Sequence, residues 1–72
     1  MDKFYRHQRV EVTAMSGDEA SVEWDGLECE VRDPNVMTIL EESLIFLTPL
    51  ADRPDGFERT PFFWPVECIR PV

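Results

Sequence analysis

Residues 9–31 read RVEVTAMSGDEASVEWDGLECEV, and this stretch decides the fold. Apolar and polar residues alternate at its start with a period of two, which predicts a half-buried strand over residues 8–15. Two further alternating runs, 20–24 and 27–31, are separated by Asp25-Gly26. An Asp-Gly pair between alternating runs is the strongest short-range signal for a two-residue hairpin turn. The stretch therefore predicts a short strand followed by a β-hairpin.

The predicted hairpin has one apolar face and one acidic face. A two-residue turn at 25–26 would place Trp24 opposite Leu27 on the apolar face, and Glu23 opposite Glu28 on the other. Like charges directly opposed on a sheet cost from a few tenths to about 1 kcal/mol. We therefore expect the acidic face to have a binding role. Its predicted members are Glu19, Glu23, Asp25, Glu28 and Glu30, with Trp24 as an apolar anchor.

The net charge of the chain is concentrated in one segment. Residues 18–42 hold nine acidic residues and one basic residue, whereas the rest of the chain has six of each, and the total is −8. A local excess of one sign of charge attracts surfaces of the opposite sign. The composition thus indicates a basic partner.

The second half of the chain predicts further short strands, because six prolines interrupt it between residues 34 and 71. Residues 33–35 (DPN) predict a turn. Residues 36–48 are compatible with a short helix, but β-branched residues favour two strands, 36–40 and 44–48. A long surface loop is expected over 49–61. Residues 66–70, with proline at both ends, predict a last strand that lies at an edge or carries a bulge.

These elements predict a single domain over residues 1–72, with an N-terminal arm at 1–8. The expected fold is mainly β, either a small SH3-like barrel or a curved antiparallel sheet of four or five short strands. The opening RVEVTAMSGDEASVEWDG resembles the start of SH3-like barrels of the KOW and Tudor kind, where a V-x-V strand, a glycine-containing loop and a strand ending at Asp-Gly recur. This resemblance covers residues 9–31 and concerns the fold alone.

The sequence does not predict an enzyme. His7 is the only histidine, no nucleophile lies near it, and we expect it to be a surface residue. No metal-binding spacing and no phosphate-binding loop occur, so neither a metal nor a cofactor is expected. Cys29 and Cys68 fall at apolar positions of predicted strands, which favours buried reduced thiols over a disulfide. No apolar run is long enough to span a bilayer, so a cytoplasmic protein is expected.

Three features remain as candidates for binding. The first is the predicted acidic hairpin face. The second is a cluster of aromatic residues that cannot all point inward from a strand: Phe62, Phe63 and Trp64. The third is the basic N-terminal segment, whose only fixed positive charges are Lys3, Arg6 and Arg9; direct binding of nucleic acid is therefore not expected to dominate.

The leading expectation is an acidic, non-catalytic protein that binds the basic surface of a larger protein. Such a partner would be an enzyme that handles nucleic acid, inhibited or modulated when its cleft is occupied. In size and charge the chain is similar to phage-encoded proteins that take over host machinery, such as inhibitors of RNA polymerase or of CRISPR nucleases. The alternative is a structural or accessory subunit that assembles through the aromatic edge 62–64.

Overall fold

The computed structural model describes residues 4–72, and Lys3 of the predicted basic arm lies outside them. Five strands form one antiparallel sheet, and two short 3-10 helices interrupt the connections between them. The expectation of a mainly β fold built on a curved antiparallel sheet is confirmed. The strands are β1 (Arg9–Val12), β2 (Glu28–Ile39), β3 (Glu42–Pro49), β4 (Phe62–Pro65) and β5 (Ile69–Pro71), and the 3-10 helices are Glu19–Trp24 and Val66–Cys68.

The strands lie in the order β4-β3-β2-β1-β5, so β2 is the central strand. Its first residues pair with β1 on one side, and the strand pairs with β3 on the other side from Cys29 opposite Pro49 to Ile39 opposite Glu42. The register between β2 and β3 shifts twice, between Val31 and Asp33 and between Asp33 and Met37. Such bulges bend a strand and increase its twist, which lets the sheet curl around a core.

The core consists of inward-facing residues of β1 to β4, and Ile69 of β5 packs against it partly buried. In β1 and β3 the buried residues alternate with more exposed ones, as the period of a half-buried strand requires. The indole N–H of Trp64 donates to the carbonyl of Thr13, 3.2 Å away, which ties β4 to the loop after β1. The buried hydrophobic residues are Val10, Val12, Cys29, Val31, Ile45, Leu47, Phe62 and Trp64.

The predicted hairpin around residues 25–26 is wrong, because residues 19–24 form a 3-10 helix instead of a strand. The carboxylate of Asp18 accepts a hydrogen bond from the backbone N–H of Ala20 at 3.0 Å, an arrangement that favours a helix start. The Ser21 hydroxyl is buried. It donates to the carbonyl of Asp18 at 2.7 Å and accepts from the N–H of Met15 at 2.7 Å. These side-chain bonds hold the segment out of the sheet.

The glycine of the Asp-Gly pair does occupy a turn, but the strand after the turn pairs with a different partner. Gly26 has a φ of 88°, and its N–H donates to the carbonyl of Val12 at 2.8 Å. Strand β2 therefore pairs with β1, and Glu28 lies opposite Glu11 rather than opposite Glu23. Val22 alternates with Trp24 and would share its apolar face in the predicted hairpin, but its side chain is 61% exposed.

Residues 36–48 form strands, as predicted, and the turn between them is Leu40-Glu41. Both turn residues have positive φ, 50° and 67°, as a two-residue hairpin turn of type I′ requires. The predicted turn at 33–35 is wrong. Those residues lie within β2, at its bulge, where the carboxylate of Asp33 accepts from the N–H of Asn35 at 3.0 Å.

The predicted last strand, 66–70, is partly wrong. Residues Val66–Cys68 form the second 3-10 helix, and the strand begins only at Ile69. Its position agrees with the prediction, because β5 lies at the edge of the sheet beside β1. A proline is tolerated there, since an edge strand leaves one side of its backbone unpaired.

Candidate protein-binding surfaces

The five acidic residues predicted to share one face are divided between two elements. Glu19 and Glu23 belong to the first 3-10 helix, and Asp25 follows it. Glu28 and Glu30 lie on β2, two residues apart and therefore on the same face of the sheet. The carboxylate of Asp25 is used within the fold, since it accepts from the backbone N–H of Ala14 at 3.1 Å.

On the face of β1, β2 and β5 that carries Glu28 and Glu30, each of these carboxylates has a basic side chain beside it. Arg9 lies 3.8 Å from the carboxylate of Glu28, and the Nδ1 atom of His7 lies 2.7 Å from that of Glu30. On the next strand Arg70 forms an ion pair with Glu11. Glu28 is therefore close to a fixed positive charge, and the carboxylate of Glu30 is engaged by the imidazole of His7, so the two acids of β2 are not the free pair that the sequence suggested.

An uncompensated group of acids lies instead around a separate surface cleft. Asp18, Glu42 and Glu67 line a surface cleft of about 310 Å³, whose apolar lining includes Met15 and Pro65. We call it the acidic cleft. The remaining lining residues are Ser16 and Cys68, and none of the seven is a cation.

A second cleft of about 250 Å³ shares Met15 and Asp18 with the acidic cleft and extends it. It adds Glu19 and Val22 to the lining, again without a cation. Of the residues predicted to bind a partner, Glu19 is the one that lies here. The exposed side chain of Val22 supplies an apolar contact beside these carboxylates.

The acidic cleft is assembled from three parts of the chain that are distant in sequence. Asp18 precedes the first 3-10 helix, Glu42 begins β3, and Glu67 lies in the second 3-10 helix. Connections between strands commonly provide binding residues, because the strands hold them rigidly in place. The sequence gives no local signal for this grouping, since it depends on the order of the strands.

The predicted aromatic edge is mostly internal. Phe62 and Trp64 are 8% and 5% exposed, and they pack with Trp24 in a cluster whose ring centroids are 5.0 to 5.7 Å apart. Phe63 points to the opposite face and is 45% exposed, with its ring centroid 4.6 Å from that of Phe46. Of the three predicted aromatic anchors, only Phe63 is available to a partner.

Arg53, in the loop between β3 and β4, completes the aromatic cluster. Its guanidinium carbon lies 5.2 to 5.3 Å from the ring centroids of Trp24, Phe57 and Phe62, within the range of cation–π attraction. Its side chain is 13% exposed. The guanidinium also donates to the carbonyl of Thr60 at 3.0 Å and to the carboxylate of Asp55 at 2.6 Å.

The hairpin formed by the end of β2 and the start of β3 exposes apolar side chains to solvent. Val36, Met37 and Ile39 are 45% to 49% exposed, and Leu40 at the turn is 94% exposed. Residues 33–52 contain four acidic residues and no basic residue. We call residues 33–42 the hairpin arm. Sequence reasoning predicted its strands but not its exposed apolar side chains.

The basic segment near the N-terminus lies beside β2. Arg6, His7 and Arg32 line a cleft of about 360 Å³ together with Glu30 and Thr48. The guanidinium of Arg6 donates to the carbonyl of Arg32 at 2.9 Å, which holds the segment against the sheet. The positive charges of this cleft are thus partly engaged with Glu30 and with the backbone.

Both cysteines are free thiols, as expected. Cys29 is buried in the core, and burial raises the pKa of its thiol to about 12 because the charged thiolate is poorly solvated there. Cys68 is half-buried and lines the acidic cleft. Cys29 therefore acts as a small core hydrophobe, whereas Cys68 lies at a surface that a partner could contact.

Comparison with protein-family models, with curated proteins and with solved structures gave no match. Within residues 4–72, no group of three or more His, Cys, Asp or Glu side chains is arranged to hold a metal ion. The same residues include no helix that is both long enough and apolar enough to cross a membrane.

Proposed function

We propose that this chain is a non-catalytic protein-binding module that binds a basic surface of a larger protein through the acidic cleft. The observation that carries the proposal is the grouping of Asp18, Glu42 and Glu67 around one cleft whose lining contains no cation. Five antiparallel strands in one curved sheet are compatible with an SH3-like barrel, and we include that fold type in the proposal.

The charge distribution supports an electrostatic mode of binding. The net charge of −8 speeds the approach of a positive surface, and carboxylates beside apolar Met15 and Pro65 can then hold a lysine or arginine together with its aliphatic stem. Attraction of this kind weakens as salt is added, because dissolved ions screen exposed charges over about 8 to 10 Å.

The partner class that we favour is an enzyme that handles nucleic acid. Such enzymes carry basic patches that bind the phosphate backbone, and these patches attract an acidic protein for the same reason. Occupation of part of that patch would exclude the nucleic acid and so inhibit or modulate the enzyme. The chain would then inhibit its partner in the same way as the phage-encoded inhibitors that it resembles in size and charge.

The test is a pull-down from cell lysate with matched variants and two salt washes. In the cleft variant, Asp18→Asn, Glu42→Gln and Glu67→Gln remove three charges, and asparagine preserves the helix cap at position 18. In the control variant, Glu23→Gln, Glu28→Gln and Glu30→Gln also remove three charges, from the face predicted by sequence. Mass spectrometry then identifies the proteins that each chain captures.

We expect the wild-type chain and the control variant to capture the same nucleic-acid enzyme, released by high salt, and the cleft variant to lose it. The identified enzyme is then assayed with added wild-type chain, and its activity should fall. Equal loss from both variants would show that net charge alone attracts the partner. Loss only from the control variant would return the site to the acids of β2 and the first 3-10 helix.

A second candidate function is assembly as an accessory subunit through exposed apolar residues. It is favoured by the exposed Phe63 and its stacking on Phe46. Binding of this kind tolerates salt, because it depends on buried apolar area rather than on charge. A partner that survives the high-salt wash and is lost with Phe63→Ala would support it over the acidic cleft.

Direct binding of nucleic acid through Arg6 and Arg9 is the third candidate. Contacts with phosphates are strongest at low salt, so a gel shift at about 50 mM salt gives the most sensitive test. We expect no shift with short DNA or RNA duplexes. A shift that disappears with Arg6→Ala would support this candidate.

A further inference from the structure

The hairpin arm has a strand edge that no other described strand covers. β1 pairs with β2 only at Glu28–Glu30, and backbone bonds from His7 and Gln8 extend this contact to Val31. Beyond that point β2 is paired with β3 alone, as far as Ile39. The other edge of residues 36–39 faces outward within the part of the chain that the structure describes.

The geometry of the turn identifies the backbone groups on that edge. Across a two-residue turn the flanking residues, Ile39 and Glu42, form a hydrogen-bonded pair, and bonded pairs alternate along the ladder. Met37 and Ile39 therefore direct their N–H and C=O groups toward β3. Thr38 directs its own groups away from β3, toward the uncovered edge.

Natural proteins usually protect such an edge with lysine, proline or an inward charge. Residues 36–40 read VMTIL and contain none of these. Met37 and Ile39 are also exposed, and the pairing places them on the same face as Leu44 and Phe46. The arm thus offers unpaired backbone groups beside apolar side chains, the two elements that recognise an added strand.

Charge determines which kind of strand fits. Asp33 lies at one end of the edge, and Glu41 and Glu42 lie at the other. Antiparallel pairing of two copies of the arm would bring these acids together and would be opposed by a net charge of −8 on each copy. A strand with basic residues would instead be attracted to the edge, most strongly beside Glu41 and Glu42, since Arg32 directly precedes Asp33 at the other end.

We propose that the edge of β2 at residues 36–39 binds an extended, basic segment of a partner protein as a sixth strand of the sheet. The N–H and C=O groups of Thr38 bond to the backbone of the segment, and its apolar residues pack on Met37 and Ile39. This inference goes beyond the proposed function, because the edge and the acidic cleft are different surfaces that share only Glu42.

The test uses a short capped peptide, Arg-Val-Thr-Val-Thr-Val-Arg, and two matched peptides. One control has N-methylated backbone nitrogens at alternate residues and cannot form the ladder, and the other has Glu in place of Arg. Amide hydrogen exchange of Thr38, followed by NMR, reports the added strand directly. We expect the first peptide to slow exchange at Thr38 by roughly tenfold or more, and neither control peptide to do so.

Two variants test the same edge through the protein. Thr38→Pro removes the outward N–H, which an edge strand tolerates, and Thr38→Lys adds a charge that repels the basic peptide. Both should weaken peptide binding by roughly tenfold, since backbone bonds and complementary charge supply the affinity in this mode. The Asp18→Asn/Glu67→Gln variant should leave peptide binding unchanged, which separates this site from the acidic cleft.

Three results would overturn the proposal. Equal binding of the N-methylated peptide would show that no ladder forms. An unchanged exchange rate at Thr38 with bound peptide would place the peptide elsewhere. A dimer of the free chain in sedimentation experiments, with Thr38 already protected, would make a second copy the occupant instead.

Discussion

The loop between β3 and β4 and the hairpin arm both extend from the sheet. They differ in whether their polar and apolar groups find partners within the fold. In the loop, Arg53 is enclosed by aromatic rings and bonds to Thr60 and Asp55. In the arm, Leu40 and Met37 are exposed, and one strand edge has no described partner. The loop therefore stabilises the fold, whereas the arm is available to bind a partner.

The largest effect that tests this comparison is expected for Arg53→Ala. The change removes three cation–π contacts and two hydrogen bonds donated by the charged guanidinium, and we expect it to destabilise the fold by about 2 to 3 kcal/mol. For a domain of this size the melting temperature should fall by roughly 10 °C or more. Thermal unfolding followed by circular dichroism measures the change.

The control for that experiment is Arg59→Ala, in the same loop. Arg59 is 67% exposed and lies 3.5 Å from Asp52, so its removal should change stability by less than about 1 kcal/mol. Equal effects of the two variants would mean that Arg53 does not anchor the loop. The conclusion that the loop stabilises the fold while the arm is available for binding would then not be supported.

The next effect concerns the turn of the arm and has the opposite sign. Leu40 and Glu41 both have positive φ, a conformation that costs ordinary residues roughly 1 kcal/mol or more each. Leu40→Asn with Glu41→Gly supplies the residues that this turn favours. We expect stability to rise by about 1 to 2 kcal/mol, measured by urea denaturation.

Leu40→Ala is the matched control, because it shortens the side chain but leaves the backbone conformation in place. It should change stability by less than about 0.5 kcal/mol, since Leu40 is 94% exposed. If the control stabilises as much as the double variant, the exposed side chain rather than the turn conformation limits stability.

The smallest effect is a change in acid stability through Asp55. Partial desolvation raises the pKa of this carboxyl, but hydrogen bonds from Arg53 and from the N–H of Phe57 outweigh it and hold the pKa below its ordinary value. A lowered pKa adds stability above pH 3.8 that is lost as the pH falls through the folded-state pKa. Asp55→Asn should therefore be less stable than wild type at pH 6, with a difference that shrinks toward pH 2.

Melting temperatures of the two proteins across that pH range give the comparison. A constant difference at every pH would indicate that packing of the loop, and not the charge of Asp55, accounts for the change. A matched Asp52→Asn variant should lower the melting temperature at pH 6 less than Asp55→Asn does, because Asp52 is 76% exposed and interacts with the exposed Arg59.

The sequence predicted those parts of the fold that depend on local alternation. Val10 and Val12 indicated the first strand, and β-branched residues in 36–48 indicated two strands rather than a helix. The segment 19–24 also alternates, but Asp18 and Ser21 capture its backbone with side-chain hydrogen bonds. A hydroxyl that forms hydrogen bonds with both ends of a loop cannot be recognised from the pattern of hydrophobic residues.

The sites were less predictable because they combine distant residues. The acidic cleft brings together Asp18, Glu42 and Glu67. These residues are far apart in the sequence, and only the arrangement of the strands places them close to one another. The charge excess of residues 18–42 was real, but the fold placed Arg9 beside Glu28 and His7 beside Glu30. Nor does the sequence mark the Leu40-Glu41 turn, because neither residue is typical of such turns.

The pairing of the first strand with the last has a consequence for how the chain folds. Val10 lies opposite Pro71, so β1 can be covered on its outer side only after residues 69–71 have been synthesised. Contacts between such distant residues slow folding, since a long loop must close before they form. During that interval the hairpin of β2 and β3 can form first, and its apolar edge is exposed to other chains on the ribosome. We therefore expect the acidic residues that flank the arm to contribute most to solubility while the chain is being synthesised.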